Sequence, residues 1–307
     1  MNRIKTILVQ PFCHPERAEK RAGMTGELLD YFELIKPRLV SLVLLSTTVG
    51  FYLANPVGIN SLSFLITLIA TAFVAGGSMA LNQFLEREAD AKMIRTQTRP
   101  LPSGRLEPNQ ALLFGLVTSA LGFFIFIFFV NLTSTLLAFL TWASYLFVYT
   151  LLKSKTSLST IIGAVPGALP PMIGWAGANG AVNFHGFLLF MIIFFWQLPH
   201  FLAIAWMYRA DYARVGQPIL SVVDREGKFV ARQMILNMCA LMPVSLLPTI
   251  FGLTGIVYFF GAFVLGLCFA VTIIFAASHL DLRARYVLRA SVVYLAALLM
   301  LMVIDKV

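Results

Sequence analysis

Apolar residues fall along this chain in nine long runs, at roughly 39–55, 62–84, 111–131, 133–151, 158–178, 185–207, 233–252, 255–278 and 286–304, with polar residues gathered between them. Most runs reach the ~20 residues a helix needs to cross a bilayer core, and the first, at about 17, sits at the lower limit. No series of short alternating strands competes with them. The runs therefore predict helices, which satisfy their own backbone polar groups, and the fold class is an all-α integral membrane protein of nine spans. Just upstream, Leu28, Leu29, Phe32, Leu34 and Ile35 alternate with Glu27, Asp30 and Glu33. That pattern predicts a helix lying in the membrane interface before Lys36-Pro37-Arg38 turns the chain inward. Residues 1–26 mix acids and bases around Pro11 and Pro15 without the apolar core of a signal peptide, and read as a cytoplasmic arm ahead of one domain, 27–307.

Composition agrees, since 59% hydrophobic and 12% charged residues are far from the balance of a soluble domain. Charge adds orientation. Of the 23 Lys and Arg, all but Lys306 fall in the N-terminal segment and the even-numbered loops, or in the first turn of span nine. By the positive-inside rule the N-terminus is cytoplasmic and the C-terminus external, and the clean alternation supports the count of nine. The net charge of +9 is thus mainly a topology signal, with attraction to anionic membrane lipid secondary and no nucleic-acid partner implied. Cys239 and Cys268 lie in apolar runs and Cys13 in the arm, so neither a disulfide framework nor a thiolate metal site is expected.

The chemistry concentrates in NQFLEREADAKMIRTQTRPLPSGR, residues 82–105. Asn82, Glu86 and Asp90 follow at i,i+4 steps and share one helix face, where their oxygens can serve one cation. Arg95 and Arg99 come next, in a segment that Pro100 and Pro102 bend back, so guanidinium forks return to the acids. Hard oxygens beside phosphate-binding cations suit Mg²⁺ and a diphosphate. Tyr145, Tyr149 and Lys153 share a face at the end of span four and reach the same surface. Span five carries Pro166, Pro170 and Pro171 among Gly163, Gly167 and Gly174, and is expected to kink around a pocket. Span six holds Gln197 and His200, polar groups costly enough in a membrane to be functional candidates, and ends at Asp211 on the cytoplasmic side. The last three spans read as scaffold.

Taken in order, NxxxExxxD, RTxxRPLPSGR, YTxxK, GAxPPxxGWA, WQLPHFxAIA and DYxxxGxP resemble the protohaem IX farnesyltransferase family of the UbiA membrane prenyltransferase superfamily, over roughly residues 28–290. The resemblance implies a nine-helix bundle in the bacterial inner membrane that moves a farnesyl group from farnesyl diphosphate to a vinyl group of haem b, giving haem O at a cytoplasmic-side site. Carried over by position, it puts Asn82, Glu86, Asp90 and Asp211 on Mg²⁺, and Arg95, Arg99, Lys153 and Tyr149 on the diphosphate. His200 and Gln197 go to haem, His200 as iron ligand or as a hydrogen-bonding group, with His185 and His279 weaker candidates. Haem A synthase or oxidase assembly factors are the implied partners. Glu86 stands where the superfamily more often has Asp, and Asp211 is nearly alone, with Tyr208 near where quinone-acting relatives carry an acid. Two other readings stay open: a UbiA-type enzyme for an aromatic quinone precursor or chlorophyll-like acceptor, and a transporter using Gln197, His200 and the acids as a path.

Overall fold

A computed structural model describes residues 24–55, 58 and 60–307. Most of the arm expected over 1–26, with Cys13, lies outside them. Helix α1 (Met24–Leu34) precedes α2 (Pro37–Ala54), α3 (Ser61–Lys92), α4 (Pro108–Phe129) and α5 (Leu132–Ala143), which continues through a π-turn at Ser144–Tyr149 and a last turn at Thr150–Leu152. Then come α6 (Ser159–Ala168), α7 (Pro170–Asn179), α8 (Phe184–Met207), the short α9 (Arg209–Arg214) and α10 (Leu220–Val223), and α11 (Lys228–Ile250), α12 (Ile256–Ala277) and α13 (Leu280–Ile304). Nine stretches among the described residues are long and apolar enough to cross a membrane, matching the runs read from sequence. The fifth is interrupted at Leu169 between α6 and α7, where Pro170 and Pro171 remove amide donors. The starts of α3, α5 and α8 are capped by Asn60, Asn131 and Asn183, whose side-chain oxygens accept from Leu62 and Ser63, Ser134 and Gly186.

Glycines set how closely the helices approach. An added Cβ at Gly77 would meet the Gly115 carbonyl at 2.8 Å, and one at Gly122 would meet the Val74 amide at 2.8 Å, so α3 and α4 cross almost backbone to backbone. This crossing fixes the helix that carries the acids. The α2–α7 pair is tighter still, with Gly50 against the Pro171 carbonyl and Gly174 against the Thr47 carbonyl. On the other face of α4, Phe124, Phe128 and Phe129 are exposed, as expected of lipid-facing positions, whereas Phe126 is fully buried.

Helix α1 turns Leu28, Leu29 and Phe32 outward and buries Leu34 and Asp30. Arg105 bonds the Asp30 carboxylate, the Glu33 carboxylate at 3.0 Å and the Thr98 carbonyl at 2.7 Å, tying the segment after α3 to the interface helix. At the opposite end of the bundle Lys306 donates to the Tyr52 and Asn55 carbonyls, and Asp305 accepts from the Tyr258 amide at 2.6 Å, joining the end of α13 to α2 and α12.

Candidate active site

The longest helix does what its spacing predicts: α3 runs unbroken eight residues past the apolar run and carries Asn82, Glu86 and Asp90 down one side. All three line a cavity of about 410 Å³ enclosed by α2, α3, α5, α6 and α8. Its walls are mostly apolar, including Val74, Met79, Phe126, Trp142, Ile193 and Leu295, and its polar groups collect around the α3 acids.

Each of the three oxygen donors is matched. Lys36 Nζ donates to Asn82 Oδ1 at 3.0 Å, and Asn82 donates to Thr150 Oγ1 at 3.2 Å. Lys153 Nζ lies 3.0 and 3.3 Å from the Glu86 oxygens, and Arg99 Nη1 lies 2.6 Å from Asp90 Oδ2. Arg95 packs its guanidinium over Tyr208 at 4.9 Å and reaches the Tyr212 hydroxyl at 3.4 Å. Tyr149 stacks on Tyr145 with centroids 5.7 Å apart and lies 5.8 Å from Lys153 Nζ. Four cations and two carboxylates thus converge on one end of an apolar chamber.

Lys36 is the site residue that the sequence did not single out. A lone cation before a span is what the positive-inside rule leads one to expect, and the signal that separates it is visible only in the fold. Its φ of 52° is the one positive value outside glycine among the described residues, and it turns the chain so that the ammonium enters the cavity. Burial, with the Arg99 guanidinium close by, pulls that ammonium down to about 7, against the opposing pull of Glu86 and Asp90. Unfolded lysine holds its proton up to about 10.5, so the unfolded chain binds more protons between pH 7 and 10, and this group adds stability as pH rises through that window. Thermal melting across pH 7–10 is expected to rise more steeply in the native protein than in Lys36→Met; equal slopes would contradict the lowered pKa.

Asp211 stands apart from the other acids. It is buried and not among the cavity-lining residues. Its Oδ1 accepts from the Ile94 amide at 3.3 Å, its Oδ2 from the Arg95 amide at 3.2 Å, and Arg214 approaches Oδ1 at 2.7 Å. The position expected on the cation therefore spends its oxygens on the loop that carries Arg95.

No group of three or more His, Cys, Asp or Glu among the described residues stands close enough to hold a metal alone. Mg²⁺ is commonly held by one or two carboxylates together with substrate phosphate oxygens instead of an all-protein cage. Asn82, Glu86 and Asp90 line the cavity together, and Asp211 lies outside its lining. Farther in, Gln197 donates to the Ala164 carbonyl at 2.7 Å, and His200 lies against Ser291 Oγ at 2.7 Å. Neither His185, which meets the Phe251 carbonyl at 2.9 Å, nor His279 lines the cavity. Ser291 and Leu295 bring α13 into the site, so the last span is more than the scaffold expected.

The pattern of the UbiA prenyltransferase family matches residues 43–303. The chain belongs to the UbiA prenyltransferase family. This UbiA chain is 46% identical over 287 residues to a protein named Protoheme IX farnesyltransferase from Solibacter usitatus, covering 90% of this chain and 98% of that one. A protein of the same name from Salinibacter ruber is 43% identical over 279 residues, covering 91% and 99%. Among solved structures, a digeranylgeranylglyceryl phosphate synthase has a TM-score of 0.76 at 18% identity, covering 91% of this chain and 98% of that one. A UbiA homologue from Archaeoglobus fulgidus bound to GPP and Mg²⁺ gives 0.64 at 16%, covering 89% and 99%. At such identities the structures speak for the UbiA fold, which agrees with the nine spans.

Proposed function

We propose that this chain transfers the farnesyl group of farnesyl diphosphate to a vinyl group of haem b, giving haem O and diphosphate. The observation that carries this reading is an apolar chamber rimmed at one end by Lys36, Arg95, Arg99 and Lys153, in a UbiA chain so similar to proteins named for that reaction. The cations would receive the diphosphate oxygens, exchanging their present carboxylate partners for substrate. The apolar wall would hold the isoprenoid chain and keep water from it. Mg²⁺ held by Asn82, Glu86 and Asp90 supplies further neutralisation of the leaving diphosphate. Asp211 acts in this reading as the anchor of the Arg95 loop, not as a ligand. The bond between the farnesyl C1 and oxygen breaks with its electron pair leaving on diphosphate. The vinyl carbon forms the new carbon–carbon bond, and water adds the hydroxyl, its second proton passing to diphosphate or solvent. His200, with Gln197 nearby, is assigned to haem. The distribution of Lys and Arg among the loops supports a rim on the cytoplasmic side, with the N-terminus cytoplasmic and the C-terminus external.

Purified protein incubated with haem b, farnesyl diphosphate and Mg²⁺ is expected to yield haem O by mass spectrometry. A prenylated aromatic acceptor with no haem O would overturn the assignment, as would loss of nothing on chelation of Mg²⁺ for the metal. Arg99→Ala and Lys153→Ala are expected to raise KM for farnesyl diphosphate about 10- to 100-fold, the equivalent of one or two lost charge-assisted bonds, while leaving KM for haem near native. A loss confined to the haem side would remove both from the diphosphate.

A further inference from the structure

The inner wall of the cavity holds a relay that ends on α13. Ser291 lies in the last span, is fully buried, and meets two rings of α8 at once. Its backbone carbonyl accepts from Trp196 Nε1 at 2.7 Å, and its hydroxyl oxygen lies 2.7 Å from His200 Nδ1. The two rings stack, with centroids 5.1 Å apart and planes at 28°. The same hydroxyl lies 2.7 Å from the Leu288 carbonyl, one turn back on α13.

A serine hydroxyl has one proton to give, and a backbone carbonyl can only accept. If the hydroxyl donated to His200, its contact with Leu288 would bring two acceptors together with no proton between them. Both short contacts are served only when Ser291 donates to Leu288 and His200 Nδ1–H donates to Ser291. The proton is then on Nδ1, and Nε2 carries the lone pair. That nitrogen has no hydrogen-bond partner among the described residues, on a ring that lines the cavity.

We propose that Ser291 is a positioning residue for the acceptor: it fixes His200 as the Nδ1–H tautomer, with Nε2 free to meet the iron of a haem. The inference rests on the reading above that His200 serves haem. Imidazoles that bind metal commonly donate their other N–H to an oxygen, which orients the ring and makes it a stronger ligand. Trp196 restrains the ring plane and Ser291 its rotation, so the geometry exists before the acceptor arrives. Asn, Asp or a free carbonyl could do the same work; here a serine held by its own helix does it, which uses no charge inside the membrane.

The test is titration of ferric haem b into the purified full-length native protein, Ser291→Ala, Ser291→Thr and His200→Ala. Readouts are optical spectra, haem affinity and the iron–histidine stretch in the reduced state. Ser291→Ala removes one oxygen and is expected to melt close to native, yet to bind haem about 10-fold or more weakly and to lower the iron–histidine stretch. Ser291→Thr, which keeps the hydroxyl, is expected to restore both, and His200→Ala to lose the histidine-ligated spectrum. Native affinity and stretch in Ser291→Ala, with that spectrum lost in His200→Ala, would overturn the role of Ser291 alone. An unchanged spectrum in His200→Ala would overturn the haem assignment beneath it and the inference together.

Discussion

Glu86→Gln is expected to abolish prenyl transfer and to weaken the fold, whereas Asp90→Asn is expected to abolish transfer while melting near the native temperature. Both lose an oxygen charge from the α3 face, and a fall in kcat on the order of 10³-fold or more corresponds to about 4 kcal/mol of transition-state stabilisation. Their partners differ. Glu86 and Lys153 are both largely buried, with side chains 11% and 13% exposed, so neutral glutamine strands an ammonium in an apolar chamber. Removing one partner of such a pair costs about 3–5 kcal/mol. Arg99, beside Asp90, is 24% exposed and has water within reach, so its loss of a partner costs less. Turnover at millimolar-scale Mg²⁺ together with thermal melting in detergent checks both halves. Near-native turnover by either variant would remove the metal assignment, and equal melting temperatures would remove the distinction between the pairs.

The second large effect lies away from the chemistry. Gly174→Ala adds a methyl group where the Thr47 carbonyl and the Phe51 amide already stand, and these are backbone atoms that no rotamer change can move. Overpacking usually costs 1–3 kcal/mol, and a clash with a neighbouring helix backbone belongs at or above the upper end, about 3 kcal/mol or more. For a chain of this size that corresponds to a fall of about 5 °C or more in melting temperature. Gly266→Ala is the control. The nearest atom to its new Cβ would be Met242 Cγ at 3.5 Å, an ordinary contact, and alanine is the better helix former. Gly174→Ala melting with the native protein would mean that α2 and α7 do not approach as described.

Much of this architecture was legible in the sequence because the membrane makes the code simple. Apolar length gave the nine spans, and i,i+4 spacing put Asn82, Glu86 and Asp90 on one face, since both depend only on neighbours along the chain. The prolines of span five marked its interruption for the same reason. What stayed hidden was every pairing between distant segments. Composition cannot choose among cations, so nothing indicated that Lys153 would go to Glu86 and Lys36 to Asn82, whereas the prolines did signal the return of Arg99 to the acids. The resemblance put Asp211 on the cation, while the contacts of its oxygens with the amides of Ile94 and Arg95 join distant segments and had no local signal. Asp224 is hidden too, buried and accepting from the Gly227 and Val230 amides at the start of α11. Ser291 carried no signal at all, being a small residue in an apolar run.

The π-turn at Ser144–Tyr149 adds a different kind of constraint. Thr150 donates its hydroxyl to the Tyr145 carbonyl five residues back, and the wider turn accommodates residues that a regular helix would distribute otherwise. A one-residue deletion there would remove a single side chain and would leave a more regular helix. It would also rotate everything beyond it by about 100°, swinging Lys153 away from Glu86. For this segment the number of letters carries information that their identity does not. Length variants here should prove harder to tolerate than most substitutions, and a related chain that lacked one residue in the turn would have to draw its cation from another position.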